Sequence, residues 1–350
     1  MGIFKFPTSL CEELTQIIRN FWWGDEEDRR KTHWLAWDKL TRSKDKGGMG
    51  FRDLRLFNQA LLAKQAWRLL VHPDSLCAKL MKAKYYPHGH ILDTMFPQSA
   101  SVTWQGIMHG LELLKNGVIW RVGDGSSINI WRDNWLPTST GLKISAKRHN
   151  TRLKWVSDLF LSGRKAWDEN LIKYLFYPHY ADEVLKIRIH AYGDGDFIAW
   201  HYENNDIFSV KSAYNLALKL KDSQDKLGQS SGDPCGERRL WNLIWKTNIP
   251  QEIRIFAWRA ATNSLAVQTN RVKHHQITSG MCSICGVEEE STFHALVTCP
   301  KARALRLALR ESWNIPDEEW FKFLGPDWLL ILLDLLSLQQ REQVLFLFWR

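Results

Sequence analysis

The chain has 350 residues, of which 45% are hydrophobic and 24% are charged, a balance that is typical of globular proteins and excludes disorder throughout. Its formal net charge of +9 suggests an acidic partner. The 19 tryptophans exclude a low-complexity linker, because so many large rings need other groups to pack or stack against.

No apolar run approaches the roughly 20 residues that a membrane-spanning helix needs. The N-terminus carries neither a secretory signal nor a myristoylation motif. Three of the six cysteines lie close together in the sequence, beside a histidine. Metal sites use cysteine in this way in a reducing compartment, so we expect an intracellular protein of the nucleus or cytoplasm.

Most of the chain has a helical pattern. Apolar residues recur three and four positions apart, as they do on the buried face of a helix. This pattern predicts helices over 8–23, 51–86 (two helices, with a break at the His-Pro-Asp sequence of 72–74), 99–115, 151–190, 210–220, 238–247, 250–265 and 300–313.

Two stretches alternate between apolar and polar residues, which is typical of strands. The first covers 118–131 around a Gly-Asp-Gly-Ser turn at 123–126, and the second covers 196–210 around a turn at 203–206. Turn-forming residues in the middle of each stretch predict two local β-hairpins.

The best domain boundary is the polar segment 222–237, whose Gly and Ser content is typical of a linker. It divides the chain into a helical region with hairpins at 1–221, a zinc-binding region at 238–312 and a helical tail at 313–350. The predicted fold class is therefore mainly α with two small β-hairpins and a zinc-stapled helical subdomain near the C-terminus.

The strongest chemical pattern is a set of three cysteines and one histidine: Cys282, Cys285, His294 and Cys299. Thiolates and imidazole suit a tetrahedral zinc ion, and Gly286 permits the close backbone approach of a metal-binding turn. Four protein ligands leave no open position, which indicates one structural Zn²⁺ ion. The alternative is three buried free cysteines.

Positive charge is concentrated in two blocks, +8 over 1–150 and +7 over 238–310, while 311–350 carries −4. This pattern is typical of contact with nucleic-acid phosphates, although a solvated basic surface without a ligand is an equal alternative. The candidate phosphate contacts are Lys39, Arg42, Lys44, Lys46, Arg52, Arg55, Arg238, Arg239, Arg254, Arg259, Lys273, Arg303 and Arg306.

Motifs for catalysis are incomplete. Residues 180–183 read Tyr-Ala-Asp-Glu, in which Glu183 replaces the second aspartate of a polymerase YxDD motif, and we interpret them as the start of an amphipathic helix. Phosphate-loop, zinc-protease and nucleophile-elbow motifs do not occur. We therefore expect no catalytic residues in this chain and do not expect it to be an enzyme.

Several motifs together strongly resemble the region after the polymerase domain in plant LINE-type (non-LTR) retrotransposon reverse transcriptases. Residues 241–299 resemble the reverse transcriptase zinc-binding domain of the same family, with the Cys/Cys/His/Cys set in family positions. The other matching segments are 21–24 (FWWG), 33–37 (HWLAW), 46–54 (KGGMGFRDL), 57–68 (FNQALLAKQAWR), 120–125 (WRVGDG), 130–136 (IWRDNWL) and 208–214 (FSVKSAY).

The resemblance implies a nucleic-acid-binding accessory fragment that would hold RNA or DNA near a reverse transcriptase core supplied in trans. Relatives often carry a ribonuclease H domain, but the last fifty residues lack the strand pattern that such a domain needs. A structural or protein-interaction scaffold and a non-functional retrotransposon relic are the alternatives.

Overall fold

The computed structural model describes residues 2–26, 30–94, 100–138, 141–161, 164, 166–189, 195–228 and 240–350. The chain forms two compact units. Unit 1 consists of Met1–Cys11 and Leu54–Ser230, and unit 2 consists of Glu12–Asp53 and Ser231–Arg350. Each unit therefore combines segments from distant parts of the sequence.

Unit 1 is built on a helical bundle. Helices α3 (Leu54–Val71) and α5 (Val102–Leu114) pack closely because Gly110 of α5 faces the backbone of α3, where an added Cβ would lie 2.2 Å from the carbonyl carbon of Leu62. Ala60, Ala63 and Trp104 fill the interior. The helices of this bundle are α3 (Leu54–Val71), α4 (Leu76–Tyr85), α5 (Val102–Leu114) and α8 (Val210–Gly228).

The linker predicted at 222–237 is helical in its first part, because α8 continues to Gly228. The rest of that segment lies outside the described residues. The border between the two units at residue 230 falls within the predicted linker.

The two predicted β-hairpins are wrong, because the two strands of the described part of the chain pair with each other. Strand β1 (Val118–Arg121) lies antiparallel to β2 (Phe197–Trp200), with Val118 opposite Trp200. The strands are thus correctly located, but each has its partner in the other predicted hairpin.

The Asp196 carboxylate explains this pairing. Its Oδ1 accepts hydrogen bonds from the backbone N–H groups of Gly123 and Gly125 at 2.8 and 2.9 Å, and its Oδ2 accepts one from Ser127 at 2.8 Å. Three converging N–H groups form an anion-binding concavity, which here holds a side chain of the same chain. The glycine turn therefore closes around Asp196 instead of reversing the strand.

A second core in unit 1 follows β1. Its short helices are α6 (Glu169–Leu175) and α7 (Pro178–Lys186). The Trp135 indole is buried and donates to the Ile130 carbonyl oxygen at 3.0 Å. Much of the chain around these helices is irregular, and mainly aliphatic side chains fill its interior together with Trp135, Phe176 and Tyr180.

Unit 2 contains most of α1 (Thr8–Trp23), whose bounds are those predicted, and the short α2 (Trp37–Thr41). Its core is formed around α9 (Trp241–Trp245) and α10 (Gln251–Ala261), and the short α11 (Gln268–Lys273) follows α10. None of the described helices combines the length and apolar character that crossing a bilayer requires.

The tail predicted at 313–350 forms two helices within this same core. Helix α13 (Trp328–Leu335) and helix α14 (Leu338–Trp349) both pack against α10. Leu330, Leu333 and Val344 are completely buried. The tail is thus part of the hydrophobic core of unit 2 rather than an appendage to it.

An ion pair fastens α12 (Pro300–Leu309) to the segment before α13. The Arg306 guanidinium is 1% exposed and donates to both carboxylate oxygens of Glu318, at 2.9 and 2.7 Å. It also donates to the Val297 carbonyl oxygen at 3.0 Å. The hydrogen bonds from Arg306 hold the pKa of the Glu318 carboxyl below its usual value of 4.5.

Replacing Glu318 by Gln should lower the free energy of unfolding at pH 7 by about 2 kcal/mol, because the buried guanidinium loses its charged partner. Since folding lowers the pKa of Glu318, its contribution is present above pH 4.5 and disappears as the pH falls below that value. Urea unfolding at pH 7 and pH 4 checks both statements. Glu319→Gln is the exposed control, and equal losses in the two variants would contradict the assignment.

Candidate metal centre

The four predicted ligands lie together in unit 2. The Sγ atoms of Cys282, Cys285 and Cys299 and a ring nitrogen of His294 are all within 4.8 Å of one another. Three of these residues are buried, and Cys285 is partly exposed. The residues that the sequence separates by up to 17 positions therefore converge on one point.

A tight loop presents the first two cysteines. The Gly286 N–H donates to the Cys282 carbonyl oxygen at 2.8 Å, and the Cys282 N–H donates to the Glu288 carbonyl oxygen at 2.8 Å. Gly286 has a φ of +67°, which is the left-handed conformation that glycine adopts without strain. The left-handed φ favours glycine here, but the close backbone approach predicted for Gly286 is not found, since an added Cβ would meet no atom within 4 Å.

A single wide helical turn, His294–Thr298, separates the other two ligands. The Cys299 N–H donates to the His294 carbonyl oxygen at 2.8 Å, which brings both side chains to the same side. Cys299 caps α12, and Pro300 occupies its first turn as the sequence predicts.

Glu288 and Thr298 orient the His294 ring. Nδ1 lies 2.9 Å from a Glu288 carboxylate oxygen and 3.1 Å from the Thr298 hydroxyl. Nε2 is thereby turned toward Cys285 Sγ, 3.4 Å away. A carboxylate on the remote nitrogen of a histidine ligand determines the ring tautomer and orientation. Glu288 was not predicted from the sequence, where only its position beside the metal-binding turn indicates a role at the site.

The surroundings favour a thiolate at Cys285 and disfavour one at Cys282. Backbone N–H groups, first that of Val287, lower the pKa of the Cys285 thiol to about 7. Burial raises the pKa of Cys282, so that this thiol needs a cation to ionise at neutral pH. Three thiols and one imidazole nitrogen match the ligand set and number of a tetrahedral zinc site.

The predicted phosphate contacts are divided between the units. Arg55 lies in unit 1, and Arg238 and Arg239 lie outside the described residues. The others belong to unit 2, where the exposed ones are Lys39, Lys44, Arg52, Lys273 and Arg303, and the partly buried ones are Arg42, Lys46, Arg254 and Arg259.

Several of the predicted contacts are engaged within the protein. Arg306 is buried and bound to Glu318, so its prediction as a phosphate contact is wrong. Arg259 lies over the Trp23 ring, 5.6 Å from its centroid, and burial lowers its pKa. Arg254 donates to the Thr247 carbonyl oxygen at 3.2 Å. Exposure alone does not leave a cation without a partner, since Arg303 lies 3.7 Å from Glu318 and the Lys44 ammonium lies 4.7 Å from the Trp245 ring centroid.

The fold also redistributes the charge. Unit 2 contains 23 Lys and Arg residues against 22 Asp and Glu, because the acidic tail and the mixed segment Glu12–Asp53 join the basic residues 238–310. Unit 1 contains 24 against 16. Most of the net positive charge therefore belongs to unit 1, which does not contain the metal-binding residues.

Residues 208–305 match the family model described as zinc-binding in reverse transcriptase. A protein of Arabidopsis thaliana named "Putative ribonuclease H protein" is 29% identical over 312 residues, covering 86% of this chain and 48% of that protein. The chain thus spans about half the length of that relative. An uncharacterized mitochondrial protein of the same plant is 42% identical over 143 residues, covering 41% of this chain and 93% of that protein.

Replacing Cys285 by Ser should reduce bound zinc from about one ion per chain to substoichiometric levels, because a neutral hydroxyl is a poor substitute for a thiolate ligand. Zinc content measured by atomic emission after dialysis checks this. Cys77→Ser is the matched control, since Cys77 is a free and exposed cysteine in unit 1. A full zinc content in the Cys285 variant would remove this residue from the ligand set.

Replacing Glu288 by Ala should weaken zinc affinity by about 10- to 100-fold, because the His294 ring loses the carboxylate that orients it. Glu288→Gln retains a hydrogen-bond acceptor and should recover part of the loss. Competition with a fluorescent chelator measures the affinity. Glu289→Ala is the control, and a similar loss in that variant would indicate a general charge effect.

Proposed function

We propose that this chain, which belongs to the family of the uncharacterized Arabidopsis mitochondrial protein, is a nucleic-acid-binding accessory fragment of a LINE-type retrotransposon reverse transcriptase. The proposal also rests on the match of residues 208–305 to the zinc-binding region of reverse transcriptases. The motifs at 46–54 and 57–68 support the LINE-type origin. The ligand would be RNA or DNA bound with low sequence specificity.

The observation that carries the proposal is the complete Cys/Cys/His/Cys set within residues that match a reverse transcriptase family. Enzymes of that class handle nucleic acid, and exposed cations of the same unit, such as Lys39 and Lys273, offer contacts for phosphates. The family match and the chemistry of the ligands thus support the same function.

The proposed role of zinc is structural. A bound ion would supply a cross-link between the cysteine loop and the start of α12, with all four positions occupied by protein ligands. His294 would contribute Nε2, since Nδ1 is engaged by Glu288. The chain's own residues would then hold the exposed surface of unit 2 in one conformation.

We further propose that the chain has no polymerase or nuclease activity of its own and acts with a reverse transcriptase core supplied in trans. Glu183 lies on α7 and pairs with Lys186 at 2.8 Å, as expected for a helix surface. Glu318 is bound by Arg306. These carboxylates have protein partners rather than the open arrangement that metal-dependent phosphoryl transfer needs.

Fluorescence anisotropy with a labelled single-stranded RNA, across a salt series, tests the proposed function. The zinc-loaded chain should bind with an affinity that falls with salt, and chelation should weaken binding. Lys39→Glu combined with Lys273→Glu should reduce the salt slope by about 1.4, at about 0.7 per phosphate contact on a single strand. Lys246→Glu with Lys322→Glu, two exposed lysines of unit 2 outside the predicted set, is the control.

A protein-interaction scaffold is the second candidate, and one observation favours it. Ile17 and Phe21, four positions apart on α1, are 64% and 86% exposed. An exposed apolar stripe of this kind is typical of a surface that packs against another protein. Stoichiometric zinc without RNA binding at low salt would favour the scaffold over the proposed function.

A further inference from the structure

An irregular segment of unit 1, residues 142–155, carries five exposed cations and no acidic residue. We call it the basic strap. The cations are Lys143, Lys147, Arg148, Arg152 and Lys154. The charge counted over residues 1–150 includes only the first part of the strap, so that count does not reveal the strap as one basic segment.

Backbone hydrogen bonds and one side-chain contact order the strap, since the Arg148 guanidinium donates to the Lys173 carbonyl oxygen at 3.0 Å. The Arg148 N–H donates to the Leu175 carbonyl oxygen at 3.2 Å, and the Lys154 carbonyl oxygen accepts from the Ile130 N–H at 2.9 Å. Leu142 and Ile144 are buried. These contacts hold both ends against the second core of unit 1 while the cationic side chains face solvent.

The strap cations have no carboxylate partner among the described residues. The nearby Asp158 carboxylate accepts from the backbone N–H groups of Lys154 and Trp155, at 3.0 and 2.9 Å. It thus orders the strap backbone and leaves the Lys154 ammonium without an ion pair. Exposed cations without a carboxylate partner can bind phosphates.

Aromatic rings alternate with these cations. The Lys147 ammonium lies 4.6 Å from the Trp131 ring centroid, and the Lys154 ammonium lies 4.8 Å from that of Trp155. His149 stacks on Tyr174 of α6, with centroids 4.4 Å apart and planes 9° from parallel. Tyr174 is 59% exposed, so its ring is available to a base as well.

We propose that the basic strap is a single-stranded nucleic-acid-binding surface, on which cations contact successive phosphates and the Tyr174–His149 pair stacks on an unpaired base. This inference rests on the proposed function and assigns its principal contacts to unit 1, which carries most of the net positive charge. A single strand is favoured over a duplex because stacking needs bases whose faces are open.

The test uses the zinc-loaded full chain and a labelled 20-nucleotide RNA. Lys143→Glu, Lys147→Glu and Arg152→Glu together should reduce the salt slope by about 2, at about 0.7 per phosphate contact. The matched control reverses three lysines of α4, Lys79, Lys82 and Lys84, which are exposed on the same unit. The control should retain nearly the slope of the unmodified chain.

Tyr174→Ala should weaken binding about fivefold or more without changing the salt slope, because it removes stacking and no charge. Circular dichroism and thermal unfolding establish that each variant is folded. A duplex of the same sequence should bind more weakly than the single strand at equal salt.

The possible failures are distinguishable. If the unmodified chain does not bind RNA at low salt, both the proposed function and this inference are wrong. If it binds, but the strap variant matches either the unmodified chain or the α4 control, only the strap assignment is wrong. Tighter binding of the duplex would overturn the preference for single strands.

Discussion

Two indole hydrogen bonds join the two sequence segments that make up unit 2. The Trp258 Nε1–H donates to the Gly47 carbonyl oxygen at 2.9 Å, and the Trp245 Nε1–H donates to the Lys44 carbonyl oxygen at 3.2 Å, across about 200 residues of sequence. Gly47 has a φ of +80°, and a Cβ there would lie 2.7 Å from the Trp241 ring. The glycine-rich loop at 46–50 thus fits against α9 and α10 because it has no side chain at the point of contact.

The metal-binding loop depends on a different kind of interaction. Its apolar residues Met281, Ile284 and Val287 are 43%, 65% and 70% exposed, so hydrophobic burial contributes little to its conformation. The conformation of the loop therefore depends on its backbone hydrogen bonds and on the four convergent ligands. A loop of this kind needs a cross-link, and structural zinc ions act as such cross-links in small folding units.

Electrostatic expectations depend strongly on tertiary structure. The basic block 238–310 packs with the acidic tail, and Arg306 of that block is neutralised by Glu318 inside the unit. The cations of the basic strap, in contrast, have no carboxylate partner among the described residues, and the nearby Asp158 carboxylate is bound to backbone N–H groups. The unit with the metal-binding residues and the unit with the net charge are therefore different parts of this protein.

Local patterns in the sequence were enough to predict the bounds of α1, the start of α12 and the four metal ligands, because each depends on residues within a few turns of one another. Only the tertiary structure decided the pairing of β1 with β2, the burial of Arg306 and the placement of Glu288 beside His294. The pairing depends on the Asp196 carboxylate, some 70 residues from the glycine turn that it fills. The spacing of apolar residues does not indicate such distant partners, since it shows which face of a helix or strand is buried but not which residues cover that face.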